Sequence, residues 1–211
     1  MKTMNILSVS AAIKCKKRRI PLYLYRYQRG YNDRDGLYIS KFKELSDIAN
    51  GEIINVYPLD NKDGGKWYAP ELHRIGDAWY IYVSPDYGDW LHQMTVLKLQ
   101  GDSPIGIYEN LGVIKGLEGK WAIDGTVFEY QSKWYFIWTF GDGTLSMQEM
   151  VSPDELNINS KRMLLTKAEL PFETVILSTF PYLSGVFKGR VKKRKFFHAS
   201  LLFLIKMLFF L

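Results

Sequence analysis

The 211-residue sequence predicts an all-β fold, and within that class a β-propeller, on three observations. The first is a near-repeat. Tyr68-Ala69-Pro70-Glu71-Leu72-His73 leads into the aromatic run Trp79-Tyr80-Ile81-Tyr82-Val83-Ser84. Trp121-Ala122-Ile123-Asp124-Gly125-Thr126 leads into Trp134-Tyr135-Phe136-Ile137-Trp138-Thr139. The two Trp-Tyr pairs stand 55 positions apart and the carboxylates of Glu71 and Asp124 stand 53 apart, close to the roughly 50 residues of a kelch-type blade. The second observation is a series of short apolar runs punctuated by turn residues, with no stretch of helical period long enough to form a helix. The third is an aromatic content of 15%, including 14 Tyr and 6 Trp. Such side chains favour the pleated surface of strands, and most are expected in the core, with a few left to line a site. Blades direct one end of each inner strand to a common axis, so carboxylates held there are expected to face a shared pocket.

The elements follow in order. Asn32-Asp33-Arg34-Asp35-Gly36 is a turn that opens a strand at Leu37-Tyr38-Ile39-Ser40. Phe42 to Ala49 reads as a loop or one helical turn, and Ile53 to Tyr57 as a strand. After a turn cluster from Asn61 to Lys66 comes a hairpin: Glu71 to Ile75, Gly76-Asp77, then Ala78 to Ser84. A two-residue loop of this composition matches the twist of paired strands. Thr95 to Leu99 is the next strand, Ser103 to Gly106 a turn, and Leu111 to Ile114 an edge strand. The second unit repeats the layout: Gly125 to Glu129, a turn at Gln131-Ser132, then Lys133 to Thr139. Gly141-Asp142-Gly143 turns into a strand at Leu145 to Val151, followed by a loop at Ser152 to Glu155. The pattern weakens after Phe172 and is lost by Lys188. The sequence thus divides into a basic segment over 1–30, a propeller body over 31–175 and a basic-apolar tail over 176–211.

Charge is segregated. The net +6 splits into +6 over residues 1–19 and +7 over 188–211, neither with an acid, leaving −7 between them. Basic clusters can bind nucleic acid or anionic lipid, but here they flank an acidic body with no recognisable nucleic-acid module, so no nucleic-acid partner is expected. Cys15 is the only cysteine, so no internal disulfide forms and cysteine usage does not fix a compartment. Met4 to Ile13 is a short, weakly apolar stretch followed directly by the basic run Lys16-Lys17-Arg18-Arg19, and it lacks a clean cleavage site for a signal peptide. Phe196 to Leu211 is apolar but only 16 residues long and interrupted by Lys206, against the roughly 20 residues of a spanning helix. Membrane contact through this tail is a minor alternative, and a monomer is expected.

At the repeated segments the chain resembles glycoside hydrolase family 43, a five-bladed β-propeller family of α-L-arabinofuranosidases, arabinanases and β-xylosidases. Tyr68-Ala69-Pro70-Glu71-Leu72-His73 with Trp79-Tyr80-Ile81-Tyr82 resembles the family's Trp-Ala-Pro-Glu blade. Leu91-His92-Gln93-Met94-Thr95-Val96-Leu97 is similar to its following strand, and Trp121 to Phe128 is similar to the segment with its central aspartate. The likeness spans about residues 32 to 173 and leans to the arabinofuranosidases. It implies a secreted enzyme that hydrolyses arabinose- or xylose-containing polysaccharide by inversion. Three carboxylates do this work: a base that activates water, an acid that protonates the leaving oxygen, and an aspartate that orients the acid and keeps its pKa high.

Asp124 matches the third of these roles. Tyr68, Glu71, His92 and Trp121 are the candidate substrate-binding residues, with Glu71 equally readable as a wall residue. The family's base lies in an Asp-Pro segment, and this chain has no Asp-Pro dipeptide; Asp33 and Asp35 fall in a later turn. The family's acid lies in a Glu-Gly-Pro segment, and no Glu follows Glu173. The expectation is therefore a truncated or rearranged member with about three blades and impaired catalysis, or a non-catalytic carbohydrate-binding fragment. No metal-ligand spacing is present, and no cofactor is expected.

Overall fold

The computed structural model describes residues 6–13, 22–27, 36–42, 50–58, 66–86 and 91–167. All but Lys167 belong to one unit, Met1–Thr166, the second unit being Lys167–Leu211. The expected turn at 32–35, the 43–49 segment, the turn cluster at 61–65, Cys15, Glu173 and the C-terminal tail lie outside the described residues.

The described residues form thirteen strands and no α-helix. Strands β1 (Ile6–Ile13), β2 (Leu22–Tyr27), β3 (Gly36–Lys41) and β4 (Glu52–Pro58) make a sheet in that order. Strands β5 (Lys66–Ile75), β6 (Ala78–Asp86), β7 (Thr95–Gln100) and β8 (Glu109–Val113) make a second. Strands β9 (Ala122–Tyr130), β10 (Lys133–Phe140), β11 (Thr144–Ser152) and β12 (Glu155–Leu156) make a third, with β13 (Met163–Lys167) paired to β11. Every pairing between consecutive strands of the three sheets is antiparallel. Three four-stranded meanders are three propeller blades. Their first strands lie against one another in turn, β5 touching both β1 and β9, as inner strands around an axis do.

Period-2 alternation explains why the aromatic strands are apolar throughout. Along β6, Trp79, Ile81 and Val83 enter a core shared with Leu37, Ile39 and Val56 of the first blade. Ala78, Tyr80 and Tyr82 enter the opposite core, shared with Val127, Phe136 and Trp138 of the third blade. A strand buried on both faces admits a polar residue only where it finds a partner, as Ser84 does at the Ala122 carbonyl. Fixing points across the second seam include Tyr82, whose hydroxyl donates to the Pro153 carbonyl at 2.7 Å, and Lys115, paired with Asp154 at 3.2 Å. Burial pushes the Tyr82 phenol well above its ordinary range, and Tyr80 and Asp154 add to the rise. Partial burial raises the Asp154 carboxyl, but hydrogen bonds from Ser152 and Lys115 outweigh it and hold the group below the usual range.

Both expected two-residue hairpin loops are present. Ile75 pairs with Ala78 around Gly76, whose φ is 63°; a single positive φ at the first loop position is the II′ pattern. Tyr130 pairs with Lys133 around Gln131 and Ser132, with φ of 49° and 60°. That is the I′ pattern, which Asn-Gly suits and Gln-Ser does not. The double substitution Gln131→Asn with Ser132→Gly is expected to stabilise the protein by about 1 kcal/mol, because it relieves two left-handed side-chain residues. An increased urea midpoint at unchanged m would bear this out, and an unchanged or lower midpoint would contradict it.

Candidate active site

The inner strands of the second and third blades each carry a bulge at the same station. In β5, Ala69 and Pro70 together oppose Val83, between the pairs Tyr68↔Ser84 and Glu71↔Tyr82. In β9, Asp124 and Gly125 together oppose Trp138, between Ile123↔Thr139 and Thr126↔Ile137. The first bulge residue is left-handed in both, with φ of 45° at Ala69 and 57° at Asp124. Proline is admitted at position 70 because a bulged residue is outside the ladder and its missing N–H is not needed.

These registers fix the blade repeat at 55 residues, the spacing of the Trp-Tyr pairs, rather than the 53 of the two carboxylates. Asp124 is thus the counterpart of Ala69, and Glu71 the counterpart of Thr126. The two carboxylates are not equivalent stations of a repeat. Of these two blades, only the third places an acid on its bulge, and a bulge re-aims the side chain it carries.

Asp124 is half-buried and pinned through its neighbours. On its N-terminal side, the Ala122 amide donates to the His92 carbonyl at 2.7 Å, and the Ser84 hydroxyl donates to the Ala122 carbonyl at 3.3 Å. On its C-terminal side, Gly125 lies against the Phe136 ring and Met94, and Thr126 Oγ1 is 3.2 Å from His73 Nε2.

The aromatic candidates come together. The His92 imidazole meets the Tyr68 ring edge-on at 5.3 Å and the Trp121 ring edge-on at 5.8 Å. His92 is 6% exposed, whereas Tyr68 and Trp121 are half-buried. Trp121 rests on Gly141, where an added Cβ would stand 3.2 Å from the indole. Glu71 is buried, with its carboxylate 3.7 Å from His73 Nε2. His73 and Thr126 carry no sequence signal that separates them from other strand residues. The one clue is position: His73 follows Glu71 by two and shares its face of β5. Among the described residues no group of three or more His, Cys, Asp or Glu is placed to hold a metal ion.

The seam between the second and third blades thus carries a bulged aspartate on β9 and a cluster of Tyr68, His92 and Trp121 rings. The family model of glycosyl hydrolases family 43 matches residues 25–183. The chain belongs to that family. An extracellular exo-α-(1→5)-L-arabinofuranosidase of Streptomyces chartreusis is 31% identical over 97 residues, 44% of this chain and 29% of that protein. An α-L-arabinofuranosidase 43 of Humicola insolens is 32% identical over 80 residues, 37% of this chain and 17% of that protein. Among solved structures, an α-L-arabinofuranosidase from Lactobacillus brevis superposes with a TM-score of 0.67 at 23% identity, covering 81% of this chain and 56% of that one. The match therefore spans little more than half of the solved relative, and less of the curated ones. The shared architecture is the five-bladed propeller of the family, here incomplete: the described sheets do not close.

Proposed function

We propose that the protein is an α-L-arabinofuranosidase-like glycoside hydrolase acting on arabinose- or xylose-containing polysaccharide by inversion, with catalysis impaired because the family's Asp-Pro base segment and Glu-Gly-Pro acid segment do not occur in these 211 residues. The observation that carries this reading is the third-blade bulge, which alone of the two related stations bears a carboxylate, Asp124. In this reading Asp124 occupies the station that would orient a general acid and keep it protonated through like-charge proximity, the family's own acid segment being missing from these residues. Tyr68 and Trp121 stack on sugar faces, His92 holds the two rings edge-on, and Glu71 forms the wall behind them. An extracellular setting accords with the name of the Streptomyces relative.

One specific observation favours a second reading, a non-catalytic carbohydrate-binding propeller. Neither an Asp-Pro segment nor a Glu beyond Glu173 occurs in these 211 residues, and acid and base catalysis each contribute typically about 10²–10⁴-fold. Hydrolysis of 4-nitrophenyl α-L-arabinofuranoside and β-D-xyloside, run beside calorimetric titration with arabino-oligosaccharides, separates the two. Turnover of the arabinofuranoside with inverted anomeric product supports the hydrolase. Saturable binding without turnover supports the second reading, and the absence of both overturns the two together.

A further inference from the structure

We infer that His73, braced by Glu71, is a positioning residue for Asp124 and acts through Thr126. The inference rests on the catalytic role proposed for Asp124, but the placement it describes can be measured without substrate.

The argument starts from backbone strain. Asp124 is a non-glycine residue at φ 57°. A left-handed residue inside a strand costs on the order of 1–3 kcal/mol and persists only where its surroundings fix it. Asp124 is fixed from both sides by groups of the second blade. Two residues before it, Ala122 is held by the His92 carbonyl and the Ser84 hydroxyl. Two residues after it, Thr126 is held by His73. The first hold runs to the backbone of Ala122. The second is made by side chains alone, so it can be removed without touching the ladder.

The chemistry of that second hold is specific. His73 Nε2 lies 3.2 Å from Thr126 Oγ1 and 3.7 Å from Glu71 Oε2. A proton on Nε2 meets two oxygens that can accept it, one of them a carboxylate, so Nε2–H is the favoured tautomer. The Tyr82 ring stands edge-on to the imidazole at 5.8 Å and 72°, limiting its rotation. Glu71 is 8% exposed and Thr126 6% exposed, and a hydrogen bond shielded from water is electrostatically stronger than an exposed one. The result is a clasp from β5 to β9 across the blade seam. Its last member is joined to Asp124 only by Gly125, and Gly125 is itself wedged against Phe136 and Met94.

The test uses Thr126→Val, which removes the hydroxyl at nearly constant shape, Thr126→Ser, which keeps it, and His73→Phe. In protein labelled with carboxyl-¹³C aspartate, the Asp124 resonance is assigned by its loss in Asp124→Asn. The inference expects Thr126→Val and His73→Phe to move that resonance and Thr126→Ser to return it. Where turnover is measurable, kcat should fall about 10–100-fold in Thr126→Val with KM within about twofold, as misplacement of a reacting group does. A lowered melting temperature with the Asp124 resonance unmoved would assign the clasp to stability alone and overturn the inference. Lack of turnover in the unaltered protein counts against the hydrolase reading and not against the clasp, which the resonance reads directly. If His73→Phe does not fold, Thr126→Val and Thr126→Ser decide the matter.

Discussion

Gly125→Ala is expected to destabilise the protein by about 3 kcal/mol or to prevent folding, at the upper end of overpacking costs. The cause is steric and local. A Cβ built on Gly125 collides with the end of the Phe136 ring and comes within 2.9 Å of Met94 Cε. Met94 can shift its terminal methyl, but Phe136 is fully buried and packs against Tyr82 and Trp138 with ring centroids 5.6 and 5.7 Å away. Nor can the backbone retreat, because Ala122 and Thr126 are each tied to the second blade. Conformational freedom is not the issue: Gly125 has no positive φ, whereas Gly76 has φ 63° and nothing within 4 Å of its added Cβ. Gly76→Ala should accordingly cost only about 1 kcal/mol, the left-handed penalty alone. Equilibrium denaturation checks both values. Adding Phe136→Leu to Gly125→Ala shortens the colliding side chain, so the double variant should recover at least about 1 kcal/mol as favourable coupling. Tolerance of alanine at position 125, or zero coupling with position 136, would contradict this packing.

The same seam shows what the sequence could and could not reveal. Strand β6 announces itself because both faces of the middle blade are covered, which leaves the run from Trp79 to Val83 without a polar interruption; β10 shows a similar aromatic run, Trp134 to Trp138. The hairpin loops are legible from Gly76-Asp77 and Gln131-Ser132, and β8 takes the edge position expected for Leu111 to Ile114. Strand β1 is harder to see. Its residues, Ile6–Ile13, mix Ser and Ala with Ile and Val and read as a weakly apolar leader, yet they pair with β2. The bulges are invisible for a different reason. Left-handed positions are usually marked by glycine, and here they fall on Ala69 and Asp124. That hides the equivalence of Ala69 and Asp124, so Glu71 and Asp124 look like matching stations although the 55-residue spacing of the Trp-Tyr pairs is visible. Of the candidate site, the sequence could flag Tyr68, His92 and Trp121 by type and order. It could not flag the His73–Thr126 contact, which joins residues 53 positions apart through blade packing.

Where the chain turns over an aryl α-L-arabinofuranoside, as the proposed hydrolase reading requires, Asp124→Asn is expected to lower the rate by at least about 100-fold, within the range for losing support of one acid–base group. Asparagine is the informative replacement because of the backbone. Aspartate and asparagine both tolerate the left-handed region through their short polar side chains, and alanine does not. Asp124 sits at φ 57°, so Asp124→Asn removes the charge without adding backbone strain. Asp124→Ala should lose the same activity and about 1 kcal/mol of stability as well. The pair of variants therefore separates charge from strain. The sign of the pH effect follows from the proposed role. A carboxylate at 124 disfavours ionisation of a neighbouring acid and raises its pKa. Removing that charge lets the acid ionise earlier, so any residual turnover should have its alkaline limb displaced to lower pH. An Asp124→Asn variant within about threefold of the unaltered rate, a difference under about 0.7 kcal/mol in barrier, would remove Asp124 from the catalytic machinery. An alkaline limb that stays in place while the rate falls would retain Asp124 as a contributor but deny it the tuning of an acid.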